Sequence, residues 1–328
     1  MSTQTEIRQQ ITEKIVAALK AGTAPWRRPW TSFTNTGNPA NVVSKRSYTG
    51  VNTLLLYLVG LERGFTSRWW GTSRQWQELG FRIKARPTNV RSGEWGTKIV
   101  FCKPVSRKPA LEQSDENGSE REAPKAETRF LLLRQFTVFS AEQVEPCEAI
   151  EKYLARPQTN EPFTDFTPAE EAIAATNARI IFGGNKASYC PDNDSIQLPP
   201  KESFTGQREY YSTALHELLH WSGHESRLNR LNKTARFGSE AYAVEELVAE
   251  IGSSFLCSEI GVPQSDDLSN QAAYLASWLK VLQADPSAIF TASSQASTAT
   301  EFILGFSRKN EDAEAGQDEE ATLVGVGS

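Results

Sequence analysis

His216-Glu217-Leu218-Leu219-His220, running on into Trp221-Ser222-Gly223-His224, is the most informative stretch of this 328-residue chain, and it holds all three of its histidines. On a helix, positions four apart share a face, so His216 and His220 present two imidazoles to one point. Two imidazoles so placed can bind one metal ion, and Glu217, next to the first, can serve a water on that ion as general base. A catalytic zinc needs a third protein ligand and keeps a fourth position for water. No histidine remains to supply the third ligand, and the four cysteines, Cys102, Cys147, Cys190 and Cys257, are dispersed without a CxxC pair. Leu215, Leu218 and Leu219 fall on other faces and read as core. Gly223 reads as the helix end. His224 therefore stays open between a contact with the site or its substrate and a cap on the helix C-terminus.

Downstream, Glu245-Glu246-Leu247-Val248-Ala249-Glu250 lies in a run that reads as helix over 239–257, with Glu246 and Glu250 four apart on one face. This element resembles the ExxxD/E segment of the gluzincin metallopeptidases. That resemblance implies Glu246 as the third metal ligand and Glu250 as the acid that hydrogen-bonds a ligand histidine, His216. Glu245 is expected to face solvent, and Tyr242, one turn before Glu246, to stabilise an oxyanion. The implied ion is divalent, zinc first and manganese as the alternative. Ser195–Pro199 reads as a short strand. It is either the edge strand along which zincins pair an extended peptide or an ordinary core strand.

The net charge of −5 hides an asymmetry. Residues 1–110 hold 18 Lys and Arg against five acids, a net +13, and six of the eight tryptophans. A basic half on an acidic chain points to a polyanion. Trp26, Arg27, Arg28 and Trp30 in the segment PWRRPW, then Lys45 and Arg46, then Arg68, Trp69 and Arg74, combine phosphate attraction with rings that can stack on bases. No zinc finger, RRM signature or helix-turn-helix is evident, so single-stranded DNA of low sequence preference is the expected partner. A metal-dependent nuclease is disfavoured, because the histidine motif lies in the acidic half.

Periodicity places helices over 5–20, with Ile7, Ile11, Ile15 and Leu19 on one side, and near 52–62. A short helix opens at Thr72–Ser73. Phe81–Arg86, Lys98–Cys102 and Phe130–Phe139 read as strands, and 111–128 as a disordered hairpin loop. Prolines 146, 157 and 162 mark a boundary. The expectation is an α+β protein of two domains: a small mixed α/β domain over 1–155, a gluzincin-like HExxH domain over 156–307, and a disordered acidic tail over 308–328. Neither a membrane span of about 18 apolar residues nor a secretory signal is evident, which places the chain in the cytoplasm.

Taken together the motifs resemble the ArdC-type antirestriction proteins of conjugative plasmids. The N-terminal part of that resemblance rests on Pro25–Trp30, Tyr48-Thr49-Gly50-Val51-Asn52, and Phe136-Thr137-Val138-Phe139 with Gln143. The C-terminal part rests on HELLHWSGH (216–224), Arg227-Leu228, Tyr242-Ala243 with EELVAEIG (245–252), Tyr274-Leu275 and Trp278-Leu279. It implies an N-terminal single-stranded-DNA-binding domain joined to a C-terminal zincin-like metallopeptidase domain. The implied role is protection of plasmid DNA, which enters a new host as a single strand, from restriction, with a restriction-enzyme subunit as a conceivable protein substrate. The alternative is a non-enzymatic protein that sheaths the entering strand and uses its metal structurally.

Overall fold

The structure is a computed structural model that describes residues 3–24, 26, 37–107, 128–154, 166–204, 206–231, 239–263 and 272–324, with backbone only for 102–107, 128–133, 272–273 and 309–324. The expected two-part α+β organisation is present. In the N-terminal half, α1 (Gln4–Lys20) starts at a capping box in which Glu6 N donates to Thr3 Oγ1 and Thr3 N to Glu6 Oε2. Its buried stripe is Ile7, Ile11, Ile15 and Leu19. Helix α2 (Val51–Arg63) and the short α3 (Ser73–Glu78), the latter opened by a Thr72–Gln75 capping box, flank a four-stranded sheet. The strands β1 (Ala40–Asn41), β2 (Trp69–Gly71), β3 (Thr97–Arg107) and β4 (Thr128–Ser140) run in the order β1-β2-β4-β3. Strands β3 and β4 pair antiparallel along their whole length, from Thr97 opposite Val138 to Arg107 opposite Thr128.

The C-terminal half has a three-stranded sheet and five helices. The strands β5 (Arg179–Phe182), β6 (Ser188–Cys190) and β7 (Ser195–Leu198) run in the order β5-β7-β6. The helices are α4 (Thr167–Ala175), α5 (Gln207–Ser222), α6 (Glu240–Ile260), α7 (Ala272–Ala284) and α8 (Ala288–Val324). Helix α6 is buried almost continuously from Glu246 to Ser258, which makes it the axis of the bundle. Gly252 lets the neighbours close on it: a methyl there would stand 2.5 Å from Leu219 Cδ1 of α5 and 3.5 Å from Ala296 Cα of α8.

The halves share a core. Ile7, Ile11 and Ile15 of α1, Leu54 of α2 and Trp26 pack in one cluster with Leu247 and Phe255 of α6, Trp278 of α7 and Ile289 of α8. A polar seam continues the join. Glu259 Oε1 of α6 accepts from Asn38 N (3.2 Å), Asn38 Nδ2 (2.8 Å) and Ser47 Oγ (2.9 Å).

Several expectations change. Phe81–Arg86 forms one bridge, Ile83 to Val144, instead of a strand. The chain opposite, Ala141–Gln143, is a 3-10 turn capped by Ser140, so a ladder has nowhere to extend. Of the two readings open for Ser195–Pro199 the core strand holds: Ser195–Leu198 is the central strand of its sheet, paired on both sides, with no free edge for a peptide. The backbone of the acidic stretch continues α8 as helix to Val324, where its Ala, Glu and Gln favour that state. Most of 111–128 lies outside the described residues. No helix among the described residues is long and apolar enough to cross a membrane.

The close approach at Gly252 is testable. Gly252→Val forces α5 or α8 outward, and overpacking of this kind costs about 1–3 kcal/mol. Urea unfolding is expected to show a lower midpoint with an unchanged slope. A variant as stable as the parent would mean that the helices do not depend on this contact.

Candidate metal centre

Helix α5 buries Tyr211, Leu215, Leu218 and Leu219 against β7, α4 and α8. That leaves His216 and His220 turned toward α6, which begins at Ser239, whose side chain caps Tyr242 N at 3.2 Å. From there one and a half turns deliver Glu245 and Glu246, and another turn Glu250. His216 Nε2 lies 3.2 Å from His220 Nε2 and 3.6 Å from Glu246 Oε2. His220 Nε2 lies 3.7 Å from Glu246 Oε1. Ligand atoms about 2.0–2.2 Å from a tetrahedral ion stand about 3.3–3.6 Å from one another. Each imidazole nitrogen meets a different oxygen of Glu246 near that spacing, and one ligand atom from each of the three residues lies within 4.8 Å of the others, a group that could hold a single small cation.

The electrostatics fit as well. Glu217, Glu246 and Glu250 are buried, and Glu245 is nearly so. Such a concentration of carboxylate is costly out of water unless cations meet it. Burial by itself lowers His216, but Glu246, Glu217 and Glu250 outweigh that and push it up to about 9. Without a metal, the imidazole thus keeps a proton among the acids. Glu246 is raised by burial but lies below the usual carboxylate range, held there by His216, His220 and Tyr242.

Glu245 does not face solvent. It accepts from Arg230 Nε at 2.8 Å and Arg230 Nη2 at 2.9 Å, and its Oε1 lies 3.0 Å from His220 Nδ1. Burial would raise it, but His220 and Arg230 push it down to about 2. A carboxylate held anionic at Nδ1 keeps the proton there and leaves the Nε2 lone pair for a cation. Arg230 also donates to Leu219 O at 2.7 Å. It passes over Gly223, where a methyl would stand 2.9 Å from its Nη2. Arg230 sits in irregular chain after α5, where no periodicity could mark it. Glu245 could have been suspected, since it is the one acid a helix turns toward the second histidine when Glu246 faces both.

Glu250 Oε2 stands 3.8 Å from His216 Nδ1, beyond hydrogen-bond length. Its other oxygen accepts from Trp26 Nε1 at 3.3 Å. Trp26 is fully buried, edge-on to Trp278 at 5.8 Å, and its carbonyl accepts from Ser254 Oγ. It is therefore closed to nucleobases: the indole found an apolar core with one acceptor for its N–H. The Tyr242 hydroxyl lies 3.4 Å from the Tyr274 hydroxyl, and burial with Tyr274 and Glu246 raises its pKa well above the phenol range. His224 stands outside the ligand cluster, with Nδ1 2.8 Å from Ser226 Oγ.

The remaining basic residues divide. Arg27, Arg28 and Trp30 lie outside the described residues. Arg46 and Arg74 are exposed, Arg74 paired with Glu78 at 2.9 Å. Lys45 is exposed but leans over the Trp69 ring at 4.6 Å. Arg68 is built into the seam between the halves, donating to Asn38 O at 3.0 Å and Ser47 Oγ at 3.2 Å. Its guanidinium lies 5.2 Å from the Trp69 ring.

Comparison with known proteins matches each half separately. Residues 5–139 match the N-terminal domain of anti-restriction factor ArdC, and residues 167–295 match a zincin-like metallopeptidase family. The chain is 35% identical to the uncharacterized protein y4eC of Sinorhizobium fredii, covering 92% of each. It is 37% and 34% identical to two DNA primases TraC of Escherichia coli. There it spans only 27% and 20% of their length. Among solved structures it is similar to the metal-free antirestriction ArdC protein of plasmid R388, with 33% identity and a TM-score of 0.70 over 92% of this chain and 98% of that one. The Mn(II)-bound structure of that protein gives 31% and 0.68, over 92% and 97%. With both halves matched in order and 97–98% of that solved chain covered, the chain belongs to the ArdC family of antirestriction proteins.

Proposed function

We propose that this chain is an antirestriction protein acting in the cytoplasm on DNA that enters during conjugation. In this reading its basic half binds the single strand, and its C-terminal half is a metal-dependent endopeptidase. The observation that carries the second part is the convergence of His216, His220 and Glu246, one ligand atom from each within 4.8 Å, with the buried Glu217 beside them. The Mn(II)-bound structure of the R388 protein supports a divalent ion, and zinc suits the same donor set.

His216 and His220 would hold the ion through Nε2 and Glu246 through a carboxylate oxygen. The ion supplies a Lewis acid and a water made nucleophilic at neutral pH. With an ion held there, Glu217 would be the group placed to accept a proton as general base and to return it to the leaving amine. Glu245, held by Arg230, keeps His220 in the tautomer that offers Nε2. Tyr242, kept protonated by burial and its neighbours, donates toward the developing oxyanion. A restriction-enzyme subunit is the class of protein substrate that the antirestriction role suggests.

A non-enzymatic reading draws on one observation. Trp26 ties the basic half to Glu250 beside His216, so an ion there also braces the join between the halves, as a DNA-sheathing protein would use it.

Glu217→Ala separates the two. It is expected to abolish cleavage of casein and of restriction subunits while leaving metal and DNA binding intact. Equal cleavage by parent and variant, or none by either, removes the enzymatic reading, and full protection of incoming plasmid by the variant favours the sheath. Metal binding carries its own test. Because His216 holds a proton up to about pH 9, an ion must displace it at neutral pH. Apparent affinity is expected to rise about tenfold per pH unit and flatten near that value, with about one proton released in calorimetry. Glu245→Ala is expected to weaken metal binding about 10- to 100-fold, as loss of such a partner typically does.

A further inference from the structure

If unpaired bases stack on this protein, Trp26 cannot be the ring that meets them, and the described surface offers another pair. Phe101 on β3 and Phe136 on β4 are 58% and 43% exposed, among the few large apolar side chains left in water. Their ring centroids are 6.4 Å apart at an interplanar angle of 84°. The register sets Phe101 opposite Arg134 and Ile99 opposite Phe136, so these four residues occupy one face of the ribbon. Ile99 is buried with Leu56, Trp70 and Val138, whereas the two phenylalanines stand clear of that cluster.

The surrounding charge selects the occupant. Arg134 is exposed on this face, Arg82 and Arg91 are exposed in the chain at the foot of the ribbon, and Lys98, opposite Thr137, is exposed on the ribbon's other face. The foot is built by Lys84 N donating to Gln143 O at 2.8 Å and Gln143 Nε2 to Trp95 O at 2.6 Å. Among the described residues no carboxylate meets any of these four side chains. A second copy of the chain would bring the same uncompensated charge to the same face, which opposes self-association. A polyanion with unpaired bases satisfies rings and cations together.

We propose that the face of the β3–β4 ribbon carrying Phe101 and Phe136 is a stacking platform for unpaired nucleobases, with Arg134 on the same face as its phosphate contact. This rests on the single-strand reading above and assigns its contact residues.

The test uses the full chain and fluorescence anisotropy, with labelled oligothymidylate of about 20 nucleotides and an abasic strand of equal length as probes. The parent is expected to prefer the strand with bases. Phe101→Ala with Phe136→Ala is expected to weaken binding to that strand by about 5- to 150-fold per base unstacked. It should leave the abasic strand and the salt slope unchanged, and Phe101→Trp with Phe136→Trp should bind like the parent. Arg134→Gln should instead weaken both strands and flatten the log–log salt slope by about 0.7. Both rings are exposed, so the melting temperature should not move. A double-alanine variant that binds oligothymidylate like the parent overturns the platform, and so does one that only changes the oligomeric mass in light scattering. A parent that binds neither strand overturns the single-strand reading itself, a distinguishable result.

Discussion

Four carboxylates held out of water between two helices set the terms for much of this structure. Glu217 on α5 and Glu245, Glu246 and Glu250 on α6 cannot remain charged in a dry interior without partners. Each finds one. His216 and His220 stand between Glu246, Glu250 and Glu245, and Arg230 closes on Glu245 from the irregular segment beyond α5. The residues that could hold a cation and those that aim them are thus one charge-balanced network. It needs α5 and α6 to lie close together, which Gly252 allows.

The same network explains why the two halves are not independent bodies. Trp26 is flanked in sequence by arginines, yet its indole N–H reaches Glu250 and its ring reaches Trp278. Glu259, two and a half turns further along α6, gathers Asn38 and Ser47 from the other side of the join. Helix α6 therefore presents one stretch to α5 at the candidate metal centre and further acceptors to the basic half. Other cations of the first half stay exposed, Lys20 on α1, Arg46 after β1, Arg74 on α3 and Arg134 on β4 among them.

Much of this was legible beforehand, and the rest failed for identifiable reasons. The helices α1, α2, α5 and α6 announce themselves because a helix repeats its buried face every three to four residues. The same arithmetic puts His216 and His220 on one face, and the resemblance to the gluzincin segment adds Glu246. Glu245 was misread as solvated because its partner, Arg230, lies in chain with no period. Phe81–Arg86 has strand composition but faces a 3-10 turn, and Ser195–Leu198 gave no sign that strands would pair on both its sides. Trp26, followed in sequence by Arg27 and Arg28, suits a stacking ring or a core one, and only the fold places it in the core.

Residue spacing alone determined which side chains share a helical face, and with the scarcity of histidine it determined that any third ligand must be an acid. Those are local properties, set by the 3.6-residue turn. Which acids turn inward, which tryptophan is sealed in the core and which phenylalanines stay in water were decided only by tertiary packing. Each depends on a partner far away in sequence: Glu245 on Arg230 fifteen residues earlier, Trp26 on Glu250 more than two hundred residues later. The free energy of burying a polar group is set by the neighbour that satisfies it, and that neighbour is known only once the chain has folded.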